Sequence, residues 1–183
     1  MKKKEKNLGL IVFLVLTTVA IFVYGELYMN PRRAINNFSK IIEQGKLGEI
    51  TLTIYHTDAL TPFPSTIDAL IRRSTSSTSG TYKIVIDGSH LEEHADIFKQ
   101  LTIDAIVPVD KKSRIDARLY YIFEDKNNNK IFDVARWGRK NSIYINGIEV
   151  EENPAFYSII IPFLPERKAT HYQARVDGLT QTP

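Results

Sequence analysis

The sequence predicts an α+β fold: a single N-terminal transmembrane helix followed by one domain that combines an antiparallel meander sheet with three or four short helices. Three observations carry that expectation. An uncharged apolar run, Leu8 to Gly25, follows a lysine-rich start. Apolar residues then recur at helical spacing behind Asn-Pro pairs. Later they recur with a period of two between short polar turns.

Residues 1–7 read as a cytoplasmic basic segment and residues 8–25 as a signal anchor. The 18 residues from Leu8 to Gly25, at ~1.5 Å rise each, span ~27 Å. That suffices for a ~30 Å hydrocarbon core with Tyr24 and Tyr28 at the interface. The lysines in front favour the cytoplasmic side and place the following domain outside the membrane. A cleaved secretory signal has the same layout and would release the domain. Its nearest site, Val23-Tyr24-Gly25, carries an aromatic between its small residues, and the apolar run exceeds the roughly 7–15 residues of a signal core. An uncleaved anchor is therefore the expected state.

Composition narrows the partners. Four of the 24 basic and one of the 21 acidic residues fall in residues 1–7, leaving 20 of each in the remainder. A neutral domain has no overall field to draw in phosphate backbones, so nucleic acid is not an expected partner. The chain has no Cys, which excludes a lipid-modified cysteine and any disulfide. Residues 26–165 then form one extracytoplasmic α+β domain held by an ordinary apolar core, and residues 166–183 a loose polar tail.

In order, Asn30-Pro31 opens a helix with Ala34, Phe38, Ile41 and Ile42 on one face and Gly45 as its left-handed terminator. Ile50, Leu52 and Ile54 alternate with Thr51, Thr53 and Tyr55 as a strand. Ser65 with Asp68 starts a short helix that ends in the Ser/Thr run before Gly80. A second strand follows from Tyr82 to Ile86, and a third helix from Ser89 to about Leu101. Ile103–Val109 is a short strand whose Pro108 argues for an edge.

Arg114–Glu124 is the strongest strand, with Ile115, Ala117, Leu119, Tyr121 and Phe123 on one face. Ile131–Trp137 and Ser142–Ile145 continue the meander, and Asn146-Gly147 marks a type I′ hairpin turn. Asn153-Pro154 opens a final helical turn or two, stopped by Pro162 and Pro165.

Three stretches are candidates for chemistry. His90-Leu91-Glu92-Glu93-His94 has the H-x-x-E-H order, in which His90 and His94 on one helix face could ligate zinc with Glu93 as catalytic base. No third ligand is nominated. A surface helix capped by Ser89, with Glu92 closing a capping box, accounts for the same residues. Asp125, Asn127, Asn129 and Asp133 stand at positions 1, 3, 5 and 9 of a calcium-loop pattern. Lys130 replaces its turn glycine and Arg136 its closing Glu, and both oppose a cation. Tyr55, Tyr120 and Tyr144 fall on one side of three strands, beside Ile122. There they form either an aromatic binding face or the floor beneath a covering helix.

No nucleophile elbow, phosphate loop or dinucleotide fingerprint occurs, and nothing calls for a cofactor. The expected role is a non-enzymatic binding or interaction module at the cell surface. It is tethered to the membrane through Leu8–Gly25 and acts on a protein or envelope partner through its sheet face or the loops Thr57–Pro64 and Ser74–Gly80. A small zinc-dependent hydrolase built on residues 90–94 is the alternative.

Overall fold

The computed structural model describes residues 30–57, 64–76, 79–109, 116–137 and 142–181. The expected anchor Leu8–Gly25 and parts of both loops, 58–63 and 77–78, lie outside the described residues. Among the described residues no helix is long and apolar enough to cross a membrane.

Residues 30–43 are helical (α1). The chain continues as β1 (Ile50–Thr57), α2 (Ile67–Arg73), β2 (Thr81–Ile86), α3 (Gly88–Glu93), α4 (Ala95–Phe98) and β3 (Ala117–Asp125). It ends as β4 (Lys130–Trp137), β5 (Ser142–Ile145), β6 (Ile148–Glu151), α5 (Ala155–Ser158) and α6 (Glu166–Thr180). The expected α+β architecture is present. Six strands form one antiparallel sheet in the order β2-β1-β3-β4-β5-β6, in which β3 to β6 are the meander.

Period-two alternation gives the sheet two apolar faces, and helices cover each. On the first, Leu52, Ile54, Tyr121, Phe123, Phe132 and Val134 meet residues of α1, α3, α4, α5 and α6. Phe38 of α1 sits at its centre, 4.7 Å from Phe123 and 5.1 Å from Phe132. Burying a side chain of that size stabilises by about 1.5–3 kcal/mol. On the second face, Leu70 of α2 packs with Ala117, Tyr120, Ala135 and Tyr144.

Turn chemistry follows the residues. Asn146 and Gly147 take φ of +50° and +77°, as a type I′ turn requires, and Gly45 ends α1 at +64°.

Several elements differ from expectation. Ala117 belongs to the second face, opposite to Leu119, because a register shift between them inserts a bulge at Arg118. Thr66 rather than Ser65 caps α2, since Ser65 is tied to the start of β3 through Asp116 Oδ1 and Ala117 N. The third helix is two short ones broken at His94. Ile103–Ala105 is a 3₁₀ turn, and only Pro108 bridges the sheet, opposite Val150. In place of a loose tail, Glu166–Thr180 form the longest of the helices from β1 onward. Their Ala169, Tyr172, Val176 and Leu179 recur at helical spacing and pack on the first core.

Candidate functional site

The two outer strands of the sheet are built differently. β6 is four residues long, and its outer side is occupied: Pro108 bridges Val150, and Glu151 N donates to Val107 O at 2.7 Å. β2 is six residues long and, among the described residues, pairs with β1 alone. Its side chains leave large apolar surface in water, with Tyr82 51% and Val85 57% exposed. Proteins blunt such an edge with charge, proline or brevity, and in β2 Lys83 alone supplies a charge.

Local chemistry sets β2 in place. Gly80, at φ +62°, turns the chain into the strand, and Ser79 Oγ accepts from Thr81 N while donating to Arg73 O. Thr81 Oγ1 donates to Thr57 Oγ1 on β1 at 3.2 Å. At the far end Asp87 caps α3, accepting from His90 N and from Ser89 Oγ. These bonds hold the Asp87 carboxyl well below the usual range.

Along β2, Lys83 and Val85 share the face of Tyr55, and Tyr82 and Ile84 the other. Lys83 Nζ lies 5.8 Å from the centre of the Tyr55 ring. Tyr82 stacks at 5.0 Å on His56, which is buried. Both imidazole nitrogens of His56 lack a hydrogen-bond partner among the described residues. Burial, helped by the charge of Lys168, lowers its pKa to about 4, so the ring is neutral.

Beyond His56 on the same row, Arg136 reaches the first face and donates to the Tyr157 hydroxyl at 3.1 Å. Glu152 is buried and accepts from Tyr157 and Arg175. Burial pushes the Tyr157 hydroxyl far up, and the bond to Glu152 raises Arg175 further. Desolvation lowers Lys168 and His171 on the same stretch of α6. This network closes the core at the end of the sheet and ties α6 to β4 and to the segment after β6.

The structure places the sequence candidates as follows. Tyr55, Tyr120, Ala135, Tyr144 and Glu149 form one cross-strand row on the second face. Tyr55 and Tyr120 stack at 5.9 Å. Tyr120 and Tyr144 are buried in the cluster with Leu70 of α2, and Tyr55 is half-buried. Their hydroxyls donate to carboxylates of the sheet, Tyr120 to Asp133 at 3.4 Å and Tyr144 to Glu149 at 2.7 Å.

His90 and His94 are not on one helix face. α3 ends at Glu93, and His94 has non-helical backbone at φ −116° with its ring edge-on to Phe163. His90 is paired with Asp87, and Glu92 accepts from Gly48 N in place of a capping box. In the turn after β3, Asp125 Oδ1 accepts from the backbone of Asn127 and Asn129, with Asn128 left-handed at φ +60°. Asp133 is taken by Lys130 at 2.8 Å. Among the described residues no three His, Asp or Glu side chains gather as a metal site.

Neither Tyr82 nor Val85 stands out in the sequence, since alternation alone does not say which strand lies outermost. What the edge offers chemically is main-chain donors and acceptors framed by an aromatic and an aliphatic side chain, which is how an extended peptide is recognised. No protein-family model, curated protein or solved structure matches the chain.

Proposed function

We propose that this protein is a membrane-tethered, non-catalytic binding module that captures an extended segment of a partner protein by adding it to β2. The domain sits outside the membrane, held there by Leu8–Gly25. The observation that carries the reading is the asymmetry of the two sheet margins. β6 is short and bridged by Pro108, whereas among the described residues β2 pairs with β1 alone and has Tyr82 and Val85 in water. Lys83 is the one charged residue of β2. It asks for an acidic residue on the incoming strand, flanked by apolar ones that meet Tyr82 and Ile84.

Photo-crosslinking from position 82 or 85 of the full chain in intact cells tests this. One partner is expected, joined through an extended segment with an acidic residue. Val85→Lys, which protects an edge, removes at least about nine-tenths of the adduct. A probe at exposed Glu43 on α1 gives none. Adducts that persist in Val85→Lys, or form equally from position 43, overturn the reading. Protease accessibility in cells stripped of their wall tests the orientation separately.

A further inference from the structure

We propose that the groove between α1 and the hairpins of β4, β5 and β6 binds a phosphate-bearing anion, with the phosphodiester of a lipid headgroup as its source at the membrane. The groove is open and has a volume of about 290 Å³. That is at the small end of ligand pockets, which run about 300–1,000 Å³, and suits a headgroup rather than a larger metabolite.

Its chemistry is one-sided. Ala34 and Ile131 make an apolar floor, and every other lining residue is a cation or a carboxamide: Asn30, Arg33, Asn37, Lys130 and Asn146. Three of these, Asn30, Arg33 and Asn37, come from α1, at a spacing that sets them on one face. Among the described residues no carboxylate lines the groove, and Asp133 reaches it only through its pair with Lys130.

The donors are partly fixed in advance. Asn146 accepts from Asp133 N at 3.0 Å and donates to Asn30 Oδ1 at 3.1 Å. That bond occupies the Asn30 amide oxygen, and its amide nitrogen is a donor. Lys130 is already paired with Asp133 at 2.8 Å, which leaves Arg33 as the uncommitted cation. Arg33 and Asn37 make no hydrogen bond or ion pair among the described residues. One guanidinium fork plus neutral amide donors matches a singly charged group with several acceptor oxygens, which is a phosphodiester.

Position favours the lipid. Asn30 stands five residues after Gly25, and five extended residues reach at most roughly 17 Å. On the proposed tether, the Asn30 end of the groove therefore lies within that reach of the headgroup layer. This choice of source rests on the tether proposed above, whereas the anion chemistry does not.

The test uses full-length protein in neutral detergent, with the Arg33 and Asn side-chain resonances followed by NMR. It is titrated separately with dihexanoylphosphatidylglycerol, dihexanoylphosphatidylcholine and inorganic phosphate. Saturable shifts are expected with phosphatidylglycerol, and weaker ones with phosphatidylcholine, whose choline cation would lie beside Arg33 and Lys130. Arg33→Ala and, independently, Asn37→Asp weaken binding by about tenfold, the loss expected for one charge-assisted contact. Both positions are exposed and leave the fold intact. Phosphatidylglycerol binding well above phosphate assigns the lipid as source, and equal binding assigns a soluble phosphate. The proposal falls if no phosphate-bearing ligand saturates, or if Arg33→Ala binds like the parent. A failed tether with an intact groove leaves the phosphate titration saturating.

Discussion

The ring of Tyr82, half exposed on the outermost strand, lies 5.0 Å from that of His56 and within 24° of parallel, sealing the imidazole between an aromatic cover and the core. The folded ring resists protonation down to about pH 4, while an unfolded histidine titrates near its ordinary value of about 6.5. Between those values the unfolded chain takes up a proton that the folded one refuses, so stability falls as pH falls through that window. The loss is roughly 3 kcal/mol at most. Urea midpoints at about pH 7 and about pH 4.5 measure it. His56→Phe keeps the stack, removes the titrating group and flattens the dependence. A variant that retains the full slope assigns it to other groups.

Gly48 and Gly88 pack backbone on backbone, and a Cβ at position 88 would sit 2.3 Å from the Gly48 carbonyl oxygen. Neither chain can yield without breaking the bond from Gly48 N to Glu92. Gly88→Ala is expected to cost about 3 kcal/mol. Gly147→Ala meets nothing within 4 Å but must hold φ +77°, and costs about 1 kcal/mol. Denaturant midpoints showing the two equal would rule out the close approach.

Glu152 joins Arg136, Arg175 and Tyr157 while almost wholly buried itself. Glu152→Ala leaves the two guanidinium groups sharing a site with no carboxylate between them. About 3–5 kcal/mol of stability goes with it. Glu152→Gln keeps the shape and one acceptor and loses less. Thermal unfolding of both variants checks the order, and a harmless Glu152→Ala contradicts it.

α6 is tied down by Tyr172, which is buried and stacked on Tyr157 at 5.6 Å. Tyr172→Ala should cost about 3 kcal/mol, against less than about 0.5 kcal/mol for exposed Arg167→Ala. Urea unfolding measures the difference. Equal, small effects would mean that the helix contributes little to the core.

How far these features could be read in the sequence depends on how local their causes are. Asn146-Gly147 and Gly45 were legible because positive φ is a property of one or two residues. Alternation from Ile50 to Tyr55 was legible for the same reason. Ala117 was not, since nothing nearby marks a bulge at Arg118 that turns it to the opposite face. α6 was hidden because its core contacts are four sparse residues in a polar stretch, and their value depends on a distant Tyr157. The edge site was hidden most deeply. Tyr82 over His56, and the outermost place of β2 among the described strands, arise from the order in which strands pair, and local propensity does not encode that order.

Pro108 has a further effect through its single bridge to Val150. A sheet that could accept strands at both margins would template copies of itself without limit, whereas one stoppered margin lets each molecule accept one addition and then terminate. Complexes of this domain should be discrete, one guest per host or two hosts edge to edge, and fibres should not grow from the folded state.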